Sequence, residues 1–371
     1  MRKLASIQKI ETIRPIEGAD KIVVATMEGL GWECVIKKDE FKVGDLIVYF
    51  EVDSILPEIP EFEFLREKKF RIKTIKLKKQ VSQGLIFGTS ILPPKTSLEI
   101  GKDVTELLGV KKYDPQLLEE SQIVSTQKQS KLLKFFMNYK LFRTIYLKLN
   151  QKHKGNWPDW ISKTDEDRLA ANPSILMKNF DKSWYLTEKI DGQSATFFTF
   201  KTKNFGFTKW EFGVASRNVW IKKQDQSNYW KAAKKYDLQT KLLKFKKPIV
   251  IQGEQISKSI QGNKYFRDEV EFFVFNIIED GKRVPFKRLR ELCKEFNLKH
   301  VPLLNDNCIP NNVESYKQNS LAETVNAITK DSEGESKLYN TEREGVVWRL
   351  CDNPNVSFKV ISPKFLLKEN N

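Results

Sequence analysis

The chain has 371 residues, 40% of them hydrophobic, with a net charge of +16 and a sequence pI of about 9.4. That length and apolar content allow a real core and two domains, and exclude wholesale disorder. Four scattered cysteines without a Cys-x-x-Cys pair, and only His153 and His300, argue against a zinc ribbon or a histidine triad, so chemistry falls to Lys, Arg, Glu and Asp. No apolar run is long enough to span a bilayer, and the first residues lead into a strand pattern without a signal-peptide block. A cytoplasmic protein with no membrane partner is expected. The positive charge favours a polyanionic partner, although a solvated lysine-rich surface would carry the same charge.

Short strands with turn signals open the chain. Leu4 to Thr12, Lys21 to Met27, Trp32 to Lys37 and Leu46 to Phe50 are strand-like, the last following a Val43-Gly44-Asp45 turn, and Phe70 to Leu77 is a fifth. Five strands in this space suggest a small Greek-key barrel. The run from Ile10 to Pro57 resembles the oligonucleotide-binding (OB) barrel of tRNA-binding appendages. Arg66, Lys68, Lys69, Arg71, Lys73, Lys76, Lys78 and Lys79 form the densest basic stretch. On alternate strand positions they would make a positive stripe for a phosphate backbone, or they would protect an edge strand from aggregation. The barrel context favours nucleic acid.

Ser130 to Leu149 mixes Lys with Leu, Phe and Met at helical spacing. It is expected to be a basic amphipathic helix packed between domains, with a membrane-surface helix as the alternative. Thr164-Asp165-Glu166-Asp167 fits a capping box opening a short helix that ends near Asn172-Pro173. From Trp184 the pattern is α+β. Strands are expected at Trp184 to Thr187, Ala195 to Thr202, Phe212 to Ser216, Ile249 to Glu254, Phe272 to Ile278, Glu344 to Leu350 and Val356 to Ile361. Helices are expected at Gln226 to Tyr236 and Phe286 to Phe296.

The informative string is Thr187-Glu188-Lys189-Ile190-Asp191-Gly192-Gln193-Ser194, a lysine at a strand end before a glycine turn. Alone, Lys-x-Asp-Gly is a weak signal. Downstream stand Ser216-Arg217-Asn218, Gly253-Glu254, the aromatic strand through Phe275-Asn276, Glu344-Gly345-Val346-Val347 and Ser357-Phe358-Lys359-Val360. Their order and spacing resemble the collinear motifs of covalent nucleotidyltransferases: DNA ligases, RNA ligases and mRNA capping enzymes. The resemblance covers about Asn172 to Lys368. Within that group the chain most resembles RNA ligases, through the extended form from Gly253 to Asn263 and the string from Lys163 to Arg168. The closest branch carries an N-terminal OB domain.

The resemblance implies an α+β fold: an OB-type β-barrel over residues 1–97, a helical linker over 98–170, and an adenylyltransferase domain of antiparallel sheets and helices over 171–371. It implies an ATP-dependent RNA ligase that joins 3′-OH and 5′-phosphate ends through lysyl-AMP, in RNA repair. Lys189 falls on the nucleophile, and Glu188 lies near the adenine. Arg217 contacts ribose and substrate phosphate, Glu254 the ribose, and Phe275 stacks on the base. Glu344 and Glu254 are the candidate ligands for Mg2+ or Mn2+, and Lys359 contacts the α-phosphate. Arg217, Lys359 and desolvation are expected to lower the Lys189 pKa and free its lone pair. The RNA would lie against Arg66, Lys68, Lys69, Arg71, Lys73 and Lys76, as a nicked duplex among other forms, on a monomeric enzyme. One departure stands out: Ile361 occupies the place of the usual second lysine of the last motif, with Lys364 as a candidate substitute. A DNA ligase, an mRNA guanylyltransferase and a non-catalytic OB-type RNA-binding protein are the alternatives. The absence of an OB domain after the catalytic domain speaks against the first two.

Overall fold

Apolar residues at a period of two build the first sheet, because alternate side chains of a strand share a face. The computed structural model describes residues 3–113, 154–204, 207–221, 226–308 and 321–369. β1 (Ala5–Ile16), β2 (Ala19–Met27), β3 (Glu33–Lys37) and β4 (Leu46–Phe50) overlap the four expected strands. After them come β5 (Ser54–Ile55), β6 (Ile75–Leu77), β7 (Gln80–Ser82), β8 (Leu85–Gly88) and β9 (Lys111–Lys112). The sheet runs β3-β2-β1-β4-β8, while β6 pairs with β7 and β5 with β9.

The fifth strand of the sheet is therefore β8, not Phe70 to Leu77. Residues Pro60–Lys68 form a 3-10 helix, and Lys69 and Phe70 then take positive φ values of 52° and 55°. That reversal lets Leu65, Phe70 and Ile72 all reach the core, which a straight strand cannot do. The basic residues from Arg66 to Lys76 consequently lie on a helix, a turn and a short hairpin rather than along one strand face. The expected helix over Ser130 to Leu149 lies outside the described residues. The described ends of the expected linker, 98–113 and 154–170, contain no α-helix; β9 lies there, and Val104 and Val110 pack into the core of the first sheet.

The second half begins with β10 (Lys154–Asn156) and α1 (Ser174–Met177), then β11 (Trp184–Lys189), β12 (Gln193–Asn204), β13 (Phe207–Ala215) and β14 (Val219–Ile221). Helices α2 (Asn228–Lys235) and α3 (Leu238–Phe245) precede β15 (Ile249–Ile256), β16 (Glu271–Glu279) and β17 (Lys282–Arg283). Then follow α4 (Phe286–Glu295), β18 (Lys299–His300), β19 (Leu303–Cys308), α5 (Leu321–Ser332), β20 (Gly345–Leu350), β21 (Ser357–Ile361) and α6 (Pro363–Glu369). Residues 162–167 form no helix, so the cap expected at Thr164 fails, but a 3-10 helix at Leu169–Ala171 ends at Asn172, where the short helix was expected to end. The carboxylates of Asp165 and Glu166 are engaged by cations from other elements.

Two sheets meet here. One runs β10-β14-β13-β12-β15-β16-β17 with β18 beside β16, and the other runs β19-β11-β20-β21. Central β15 is buried along almost its whole length, which accounts for its continuous apolar start, Ile249-Val250-Ile251. Helices α2, α3 and α4 cover one face of the larger sheet through Trp230, Leu242, Leu289 and Leu292. The smaller sheet shares a core with the N-terminal sheet: Trp184, Trp348 and Phe358 belong to one apolar cluster with Ile7, Phe50 and Phe62. Among the described residues no helix is long and apolar enough to cross a membrane.

Candidate active site

Lys189 ends β11 in the smaller sheet, and Gln193 begins β12 in the larger one. Three residues thus carry the chain from sheet to sheet, and Lys189 stands at the seam. Gly192 is required there: a Cβ would come within 2.5 Å of Gln255 O and 2.9 Å of Glu254 Cγ. Opposite, β11 pairs with β20 so that Lys189 faces Gly345, and β12 pairs with β15 so that Ser194 faces Glu254. These registers bring Lys189, Glu254 and Glu344 to one cleft of about 430 Å3.

Lys189 Nζ donates to Glu344 Oε2 at 2.6 Å. Burial pulls the Lys189 ammonium down, but Glu344 and Glu254 outweigh it and hold its pKa above the ordinary value. The expected depression of Lys189 by Arg217 and Lys359 is therefore absent in this state. It falls on Lys359 instead, which burial lowers to about 8 against the pull of Asp165, with Lys189 pushing the same way as burial. Burial, reinforced by Glu344 and Asp191 and opposed by Lys189, pushes the Glu254 carboxyl up to about 8.

Arg217 sits in the turn between β13 and β14, and Lys359 on β21 opposite Val347. Both reach Asp165: Arg217 Nη2 at 2.9 Å and Lys359 Nζ at 2.7 Å. Lys112, from the N-terminal part, completes the group at 2.5 Å from Asp165 Oδ2. Burial opposes ionisation of Asp165, but Lys359, Arg217 and Lys112 hold its carboxyl well below the usual range. The next residue, Glu166, pairs with buried Arg349 of β20. A second junction lies beside the first: Asp53 accepts from Arg71 Nη2 at 2.7 Å and from Arg168 Nη2 at 2.5 Å, and the Arg71 guanidinium lies 3.6 Å from the Tyr113 ring centroid.

Phe275 lines the cleft from β16. Gln252 pairs with Asn276 and Gly253 with Val274, so Phe275 is the extra residue of a β-bulge. A bulge re-aims a side chain, which explains why Phe275 is only partly buried in a strand whose neighbours are covered. Arg349 Nη1 donates to Phe275 O at 3.4 Å and helps hold the bulge. Glu188 also lines the cleft, but its carboxylate is engaged, accepting from Ser336 Oγ at 2.5 Å and from Lys337 N at 2.8 Å.

The structure thus brings Glu188, Lys189, Arg217, Glu254, Phe275, Glu344 and Lys359 to one cleft. Of the basic stretch, only Arg71 lines it. Arg66 pairs with Glu63 of the 3-10 helix and with Glu58 before it, and Lys68, Lys69 and Lys76 are exposed. Lys364, the candidate substitute for the lysine missing at Ile361, pairs with Glu333 at 2.7 Å and does not line the cleft, whereas Ile361 does. Sequence reasoning missed Asp165, Asp53 and Lys112. The density of charge in Thr164 to Arg168 was a usable signal for the first of these.

Family comparisons divide the chain in the same way. A model of an OB-fold domain matches residues 4–89 and an RNA ligase model matches residues 182–361. Three solved structures of a Naegleria gruberi RNA ligase are similar over 100% of this chain at 30% identity. The one with PPi is covered to 99% at a TM-score of 0.77. A glutamate-to-alanine mutant with ATP and Mn is covered to 100% at 0.77, and a lysine-to-methionine mutant with AMP and Mn to 99% at 0.76. No curated protein matched in a separate comparison. The chain belongs to the RNA ligase family, with an OB-fold domain preceding the ligase domain, and is an enzyme that joins RNA.

Proposed function

We propose that this ligase is ATP-dependent and seals 3′-OH and 5′-phosphate RNA ends through a covalent Lys189–AMP adduct, in RNA repair. The observation that carries the reading is Lys189 at the seam of the two sheets, hydrogen-bonded to Glu344 in a cleft that also holds Glu254, Arg217 and Lys359. The similar N. gruberi structures with ATP, AMP and Mn support the choice of nucleotide and metal class.

The donor set fits a hard divalent cation. Glu254, Glu344 and Asp191 crowd the space around Lys189, and the elevated Glu254 pKa reflects its burial first and then the negative charge of Glu344 and Asp191. Among the described residues no group of three His, Cys, Asp or Glu side chains makes a metal cage by itself. Mg2+ is commonly held by one or two carboxylates together with substrate phosphates, which suits Glu254 and Glu344. When bound, Mg2+ or Mn2+ supplies positive charge to the phosphates.

Lys189 must lose a proton, to water or to an oxygen of the departing pyrophosphate, as it attacks. Glu344, which accepts its hydrogen bond, holds the amine in place. The amine then attacks the α-phosphorus of ATP; a P–N bond forms and the P–O bond to pyrophosphate breaks. Arg217 and Lys359 present positive charge to the phosphate, and Phe275 offers a face to the base. The AMP passes next to an RNA 5′-phosphate, breaking the P–N bond. Finally a 3′-OH attacks that phosphate and AMP leaves. Glu188 stands beside the adenine and fixes the loop at Ser336 and Lys337.

In this reading residues 1–97 are the OB domain, 98–170 the connection and 171–371 the nucleotidyltransferase domain. The N-terminal domain grips RNA, a nicked duplex among its forms, with Arg66, Lys68, Lys69, Arg71, Lys73 and Lys76 as phosphate contacts. The enzyme acts as a cytoplasmic monomer. With α-labelled ATP, label is expected on the wild-type protein and not on Lys189→Ala; equal labelling of both overturns the proposal.

A further inference from the structure

Two large aromatic rings are left in water on loops that are bonded to the segment carrying Lys189. Phe266 is 67% exposed and Tyr339 39% exposed, yet their ring centroids lie 4.8 Å apart at 30°. They come from different loops, one after β15 and the other before β20. Phe266 also holds a left-handed φ of 50°, which is costly for a bulky residue. An exposed aromatic pair kept in that conformation calls for a partner.

Both loops are tied to the segment that carries Lys189. On the first, the Tyr265 hydroxyl accepts from Asp191 N at 2.8 Å, and Lys264 pairs with the Asp191 carboxylate. On the second, Ser336 Oγ and Lys337 N donate to Glu188. The loops are also tied to each other: Arg267 Nη2 donates to Leu338 O at 3.0 Å. The rings are therefore fixed relative to Lys189, as a site for a substrate end must be. Lys258 on the first loop and Lys337 on the second are exposed cations suited to phosphates.

We infer that Phe266 and Tyr339 form a stacking platform for a nucleobase of the RNA strand next to the break. Aromatic side chains beside cations are a general solution for holding unpaired bases, because every base has a π-face. The inference rests on the RNA-sealing reading above and adds a binding subsite to it. Phe266 and Tyr339 take no part in the transfer of AMP to Lys189.

The test uses the full chain and an RNA bearing a 3′-OH/5′-phosphate break. Phe266→Ala and Tyr339→Ala are expected to raise the RNA concentration for half-maximal sealing about tenfold. Phe266→Trp is expected to retain wild-type behaviour. Transfer of label from ATP to Lys189 should proceed at the wild-type rate in all three, which also reports that they fold. Abasic substitutions placed singly near the break should cost the wild type a similar factor at one position and cost Phe266→Ala nothing there. Normal labelling with an unchanged RNA requirement in both alanine variants overturns the platform alone. A wild-type protein that takes no label overturns the platform and the ligase mechanism together.

Discussion

Lys189 Nζ and Glu344 Oε2 lie 2.6 Å apart, and the carboxylate favours the charged form of the lysine. The strand register fixes this contact, since Lys189 pairs with Gly345, the residue after Glu344. A lysine so held is positioned but not yet reactive. In the proposed mechanism its lone pair would become available when the carboxylates around it meet another positive charge, which would link its activation to the arrival of nucleotide and metal.

Glu344→Gln keeps the shape of the contact and removes its charge. Although the lysine would lose its proton more easily, Glu344 is in the proposed reading a ligand of the metal that offsets the phosphate charge, so the rate of label transfer from ATP to Lys189 is expected to fall about a hundredfold. Quenched time courses of labelling measure it. A rate within twofold of the wild type would mean that Glu344 is a bystander.

Asp165 gathers Lys112, Arg217 and Lys359, so Asp165→Asn leaves three cations facing one another. The variant is expected to lose about 1–2 kcal/mol of stability at neutral pH. The folded-state pKa of Asp165 lies below its unfolded value. Its contribution is therefore complete above the ordinary carboxylate range, about pH 4, and is lost as the pH falls through the depressed folded value. Denaturant midpoints at pH 7 and at about pH 2 should differ less in the variant than in the wild type.

Gly345→Ala tests the register itself. A Cβ there would meet Val360 O at 2.1 Å, a backbone atom that cannot swing aside. The β20–β21 pairing must open, at a cost of about 2–3 kcal/mol, and Glu344 and Lys359 move with it. Lower thermal stability and reduced labelling are expected together. An unchanged melting temperature would show that the strands relax freely.

Trp184→Ala tests the shared core. The ring is fully buried, packs against Trp348 and Phe358, and belongs to the cluster that includes Ile7 and Phe50. Its removal is expected to cost about 3–5 kcal/mol. Because the cluster joins the N-terminal sheet to the ligase domain, loss of N-terminal and C-terminal structure should coincide in the melt. Two separated transitions in the wild type would contradict the common core.

Strand periodicity was legible before any coordinates: β4 lies where Leu46 to Phe50 predicted it, and β11, β15, β16 and β21 lie within a few residues of expectation. Lys189 and the residues in line with it were legible for a related reason. The motifs keep a fixed order along the chain, and the pairing of their strands and turns brings their side chains to one cleft. The 3-10 helix at Pro60–Lys68 was not legible, because the need of Leu65, Phe70 and Ile72 to reach a common core overrode their alternation with lysines. Nor was the role of Asp165, whose local sequence fits a helix cap while its three partners lie at Lys112, Arg217 and Lys359.

The sequence by itself determined which side chains could do the chemistry: one strand-end lysine, a set of carboxylates and the cations to meet a phosphate. Only the tertiary structure decided who holds whom. Glu344 rather than Arg217 sets the charge of Lys189, Asp165 draws Lys112 of the N-terminal part into the cleft, and Lys364 turns away to Glu333. The physical reason is that electrostatic coupling depends on ångström distances and on burial. Positions along a chain fix neither until the sheets have paired.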